Sequence, residues 1–248
     1  MAVVMENKAY PEPSVLLARL VQSQEGSSVR GGDFLGELSS ISRGQPPTEE
    51  FLRRLASQVR MQSQDLYLVA GFPVREDTLP SDEGAGRELP ELVRLTISLP
   101  PSGKQELREF AQSLPRFPRP ISPRKPRPYE RYPPGFGSLF VRMLALRNLG
   151  WGSAAKVMYL MSGVYVSAAT IGAVGRGVKE LDTELLNGFA AVLGIPVRIL
   201  GSLTGMPELA VPGGLSADNA DTAALLWDVR DLAAAQVRDV SRLAEALR

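Results

Sequence analysis

Apolar residues recur every three or four positions through most of the chain, the spacing that lines one face of a helix. The pattern is clearest in the second half. Leu139, Phe140, Met143, Leu144 and Arg147 share one side of a helix over 138–149, and Gly150 supplies its stop. A second helix runs over 154–162 and closes at Gly163. Ser167 is placed to N-cap a third from Ala168 to Gly175, with Ile171 and Val174 inward. Asp182 caps a fourth whose stripe is Leu185, Leu186, Phe189, Ala190 and Leu193. Gly194 ends it, and Pro196 opens a fifth bearing Ile199, Leu200 and Leu203.

The first half repeats this pattern. A shift of 134 carries Glu50 to Glu184, Leu52 to Leu186, Ala56 to Ala190, Leu66 to Leu200 and Gly71 to Gly205. Phe51, Leu55, Val59, Met61 and Val69 fall on Leu185, Phe189, Leu193, Ile195 and Leu203. A shift of 133 lays Ile41-Ser42-Arg43-Gly44 on Val174-Gly175-Arg176-Gly177, so one residue is inserted between the two blocks. Apolar places are kept while surface places vary, which is the signature of a duplicated helical unit. Two further helices are expected over 91–98 and 103–114. The segment 222–247 reads as one long amphipathic helix, with Leu226, Val229, Ala233, Val240, Leu243 and Leu247 near one stripe. It either folds back on its own lobe or forms a dimer seam interrupted by Gln236, the possible surface of a homodimer.

Composition then divides the chain. Residues 115–134 hold 8 of the 20 prolines and six cations, Arg116, Arg119, Arg124, Lys125, Arg127 and Arg131, against Glu130 alone. Prolines at that density cannot continue a helix or an inner strand. The expected organisation is an N-terminal lobe over 1–114, a basic Pro-rich linker over 115–134 and a C-terminal lobe over 135–248. The local charges are −4, +5 and 0. The strap reads as a spacer, as an arm along phosphates or the minor groove centred on Arg124, Lys125 and Arg127, or as a ligand for a proline-binding partner.

The residue inventory narrows the chemistry. There is no Cys and no His, which excludes thiol nucleophiles, Cys- or His-based metal sites and Ser-His-Asp catalysis. No enzyme activity, metal or cofactor is expected, and no small-molecule ligand is indicated. The opening MAVVMENKAYPEP lacks a signal-peptide pattern, and no 18 apolar residues run together. The expectation is a soluble cytoplasmic protein without membrane contact. Thr170–Gly177, TIGAVGRG, looks like the Gly-rich turn of short-chain dehydrogenases. The first copy keeps only its Arg43-Gly44, and no alternating strand–helix series stands around it, so a nucleotide loop is rejected.

The residues Val166 to Gly177, followed by the stripes over 185–194 and 196–203, resemble the turn, recognition helix, terminal Arg-Gly and last two helices of Cro/C1-type (Xre-like) helix-turn-helix domains. Gly32-Asp33-Phe34 leading to Leu38, Ile41, Arg43 and Gly44 is a looser first copy. The resemblance spans residues 14–72 and 138–206 and is similar to tandem regulators of actinobacteria. It implies an all-α fold of two five-helix helix-turn-helix domains, with the basic linker and the C-terminal amphipathic helix added. It further implies a transcriptional regulator bound to double-stranded DNA, with a recognition helix in the major groove. Carried onto this chain, the DNA-facing residues are Ser167, Ala168, Thr170, Arg176 and Lys179 in the second copy and Ser39, Ser40 and Arg43 in the first. Arg124, Lys125 and Arg127 join them from the strap. Two copies can occupy adjacent major grooves. Ala154 stands where the family often has Gln, and Gly175 where it often has Glu. The Ala-rich recognition helix and the net-acidic first lobe support an alternative, an adaptor acting through protein–protein contacts.

Overall fold

The computed structural model describes residues 10–23, 32–117, 127–206 and 217–248, and among them every regular element is a helix. Six lie in the first half: α1 (Pro13–Gln22), α2 (Gly32–Ser42), α3 (Glu49–Val59), α4 (Ser63–Val69), α5 (Leu89–Thr96) and α6 (Pro101–Ser113). Seven follow: α7 (Phe136–Leu146), α8 (Trp151–Ser162), α9 (Ala168–Gly175), α10 (Thr183–Leu193), α11 (Val197–Thr204), α12 (Ala217–Val229) and α13 (Ala234–Ala246).

The backbone repeats with the sequence. Thr48 and Asp182 each cap a helix by accepting from the backbone N–H three residues on, at Phe51 and Leu185. Those helices, α3 and α10, have equal length and both end on a left-handed residue, Arg60 at φ 56° and Gly194 at φ 70°. The next helices, α4 and α11, are followed by Gly71 at φ 81° and Gly205 at φ 78°. Loss of either side-chain cap is expected to cost about 1 kcal/mol, so Thr48→Ala and Asp182→Ala are expected to show similar falls in urea unfolding.

The repeat also reaches further than residues 14–72 and 138–206. At a shift of 133, buried Leu92, Val93, Leu99, Leu107 and Ala111 fall on buried Leu225, Leu226, Leu232, Val240 and Ala244. The N-caps of α6 and α13, Pro100 and Ala233, fall on each other too. The expected single helix over 222–247 is therefore corrected to a pair, α12 and α13, matching α5 and α6. Pro100-Pro101 marks the first break. The second, at Ala233-Ala234, carries one local and one tertiary contact: the Gln236 side chain accepts from the Ala233 N–H at 3.0 Å, and the Asp82 carboxylate accepts from the Ala234 N–H at 2.8 Å.

The resemblance to two five-helix domains implies a separate core in each copy; instead, the two units do not close around separate centres. One continuous hydrophobic cluster runs from Leu16 to Ala244. Within it α1 packs on α11 and α4 on α7, while α5 packs on α13 and α6 on α12; α5 also meets α12, and α6 meets α13. Exchanging the units maps these pairs onto one another, the reciprocity of an isologous two-fold interface. Nor does the C-terminal segment fold back only on its own lobe, since its stripe is covered by α5 and α6 of the other unit.

A buried ion pair sits at the junction. Arg147, just past α7, donates to both carboxylate oxygens of Asp65 in α4, at 2.9 and 2.7 Å. It also donates to the carbonyls of Met143 and Leu193, and the side chains are 1% and 0% exposed. Its guanidinium lies 5.1 Å from the ring of Trp227, whose surroundings also hold Arg230 at 4.0 Å. Burial lowers the pKa of Arg230, with Asp231 opposing the effect. On the pseudo-symmetric side the contact is lighter: Arg19 donates to the Leu203 carbonyl and Arg198 to that of Ser23.

Both ends of the Pro-rich strap are tied down. Gln236 donates to the Pro115 carbonyl, Arg116 to that of Asp228, and Arg127 pairs with Glu83 at 2.7 Å. The strap does not separate two free lobes, because the lobes meet directly.

Candidate nucleic-acid interface

Helix α9 is held against α7 and α8 by close backbone approaches. A Cβ on Gly137 of α7 would lie 2.0 Å from the Val174 carbonyl oxygen. A Cβ on Gly172 would meet the Trp151 ring at 3.0 Å, and one on Gly175 the Tyr132 ring at 2.7 Å. The glycines of TIGAVGRG therefore serve packing: they let two aromatic rings lie on the helix backbone. Gly163 closes α8 at φ 74°, Val164 turns into the core, and the chain enters α9 through Ser167.

The opposite side of α9 faces solvent. Ile171 and Val174 are buried, while Ser167, Ala168, Ala169, Arg176 and Lys179 are exposed. Ser167 is occupied as a cap: its Oγ accepts from the Thr170 N–H at 3.0 Å and pairs with the Thr170 hydroxyl at the same distance. Arg176 leans over the Trp151 ring, 5.7 Å from its centroid. Lys179 lies 3.7 Å from Asp182, and both are about half exposed, so this surface pair holds the lysine weakly.

In the first copy, α2 stands in the place of α9. Ile41 is buried like Val174, and Leu35 and Gly36 are exposed like Ala168 and Ala169. Ser39 and Ser40 donate to the carbonyls of Leu35 and Gly36 within their own helix. Arg43 folds back onto the Ser39 carbonyl and the Ser40 hydroxyl. Gly44 follows it at φ 90° as Gly177 follows Arg176 at φ 72°. Arg124 and Lys125 lie outside the described residues. Arg127 is largely covered: its side chain is 15% exposed, paired with Glu83 and 5.9 Å from the Tyr129 ring.

Three exposed residues on α8 and in the turn before α9 escaped the sequence reading. Lys156 projects from α8, and Tyr159 and Tyr165, 54% and 84% exposed, meet edge to face at 6.1 Å. Tyr165 lies two residues before the cap of α9. The available signal was helical register: with Val157, Met158 and Met161 inward, positions 156 and 159 must face out.

A separate cleft of about 640 Å³ opens between α1, α4 and α7, lined among others by Tyr10, Phe72, Pro73, Leu139 and Arg142. Burial pushes the Tyr10 phenol up from 10.0 to about 12, with the Arg142 charge pulling the other way. The folded-state value exceeds the unfolded one, so the associated stability is whole below pH 10 and lost as pH rises toward 12. Phenolate absorbance is expected to show a late-titrating component that Tyr10→Phe removes.

Among the described residues no group of three or more Asp and Glu is placed to hold a metal ion, and no helix is long and apolar enough to cross a membrane. Among the described residues the fold and this surface define two packed helical units that repeat one another in part, with α2 exposed in one and α9 in the other. Comparison with protein-family models, curated proteins and solved structures finds no match.

Proposed function

We propose that this chain is a DNA-binding regulator of the Cro/C1 helix-turn-helix type, with α8, the turn at 163–166 and α9 as its reading module. One observation carries the reading. The first turn of α9 is open to solvent at Ser167, Ala168 and Ala169, with Lys156, Arg176 and Lys179 also exposed, while its other side is locked by Gly137, Trp151 and Tyr132. A helix so held offers small side chains to base edges, where Ala and the Thr170 methyl suit thymine methyls, and cations to the backbone.

Titration of the full chain against duplex DNA at several salt concentrations tests this. Affinity is expected to fall log-linearly with salt, and Lys156→Ala with Arg176→Ala is expected to reduce the slope by about 2. A second reading, an adaptor that binds protein, is favoured by exposed Tyr159, Tyr165 and Val178 beside the same helix. It requires that genomic fragments fail to bind at low salt.

A further inference from the structure

The reciprocal packing makes one chain equivalent to a dimer. In an isologous pair each element of one unit meets the counterpart of its own partner in the other, and this chain does so twice, through α1 with α11 and α4 with α7, and through α5 with α13 and α6 with α12. The stripes of α6 and α13 are covered chiefly by α12 and α5 of the opposite unit and partly by each other, with Leu107, Ala111, Val240 and Ala244 all fully buried. Helices α2 and α9 hold equivalent places in the two units, each ending in an arginine and a left-handed glycine. Their outward residues differ, since Leu35 and Gly36 stand where the second copy has Ala168 and Ala169.

We propose that a single chain binds an asymmetric DNA duplex as a one-to-one complex, with α9 on one half-site and α2 on a second, unlike half-site. The inference rests on the DNA-binding reading above. A homodimer imposes a palindrome because its two reading helices are identical. Here the same geometry is built from two different sequences, so the halves it selects differ. The shared core and the Arg147–Asp65 pair hold the two helices in fixed relation, so the two half-sites are expected at one fixed spacing.

The test is selection of duplexes from a random-sequence library by the full chain. The mass of the selected complex and its footprint are then measured for wild type, Leu35→Glu and Ala168→Glu. Both substitutions place an acid at an exposed position, and circular dichroism checks that each variant keeps its helices. The expected result is one chain per duplex and two unlike protected segments. Each variant is expected to lose protection of one segment only, with affinity weakened roughly tenfold or more. Two chains on an inverted repeat would overturn the proposal while leaving DNA binding intact. So would a single protected segment that Leu35→Glu leaves unchanged. Failure to enrich any duplex would remove the DNA-binding reading itself and this proposal with it.

Discussion

Arg147→Ala is expected to lower the unfolding free energy by about 3–5 kcal/mol, read as a shifted midpoint in urea. The side chain is buried, makes four hydrogen bonds and neutralises Asp65, which lies in the other unit. Removing it strands a carboxylate in an apolar junction and frees two carbonyls, at Met143 and Leu193. Asp65→Ala is expected to cost a similar amount, since it strands the guanidinium instead. The pair itself need not add net stability, because desolvation of two charges offsets much of their attraction. Arg147→Met combined with Asp65→Leu is therefore expected to recover much of the loss. A double variant as unstable as the sum of the two single ones would show that the pair supplies more than mutual neutralisation.

Gly137→Ala is expected to destabilise by about 1–3 kcal/mol or more and to weaken any DNA binding in parallel. The added methyl would sit 2.0 Å from the Val174 carbonyl oxygen and 2.8 Å from its carbon. Both are backbone atoms that cannot swing aside, so α9 must move away from α7. Gly152→Ala is the control. It lies in α8 with nothing within 4 Å of the new methyl. It is expected to be neutral or mildly stabilising, because Ala favours the helical backbone over Gly. Equal losses in the two variants, measured by thermal unfolding, would refute the steric account.

Helix positions, caps and the duplication were legible because they depend on local rules. Thr48, Ser167 and Asp182 accept from the third residue on, and Gly163 and Gly194 take the left-handed turn that ends a helix. The break inside 222–247 was not legible, because it lacks the proline of its counterpart and is set by Asp82, some 150 residues away in sequence. The candidate site was half legible. Its caps were named from spacing and its cations from the family resemblance, but Tyr159 and Lys156 emerged only once helix register was known. Arg127 is paired with Glu83, a partner that no local pattern reveals.

By itself the sequence determined an all-helical chain written twice, because apolar periodicity and capping act over three or four residues and need no knowledge of distant neighbours. Only the tertiary structure decided that the two copies join into one core. Faces at α1, α4, α5 and α6 are apolar whether they pack at home or abroad, and periodicity carries no address for their partner. The choice was made by long-range contacts such as Arg147 with Asp65, whose meaning exists only where the two units touch.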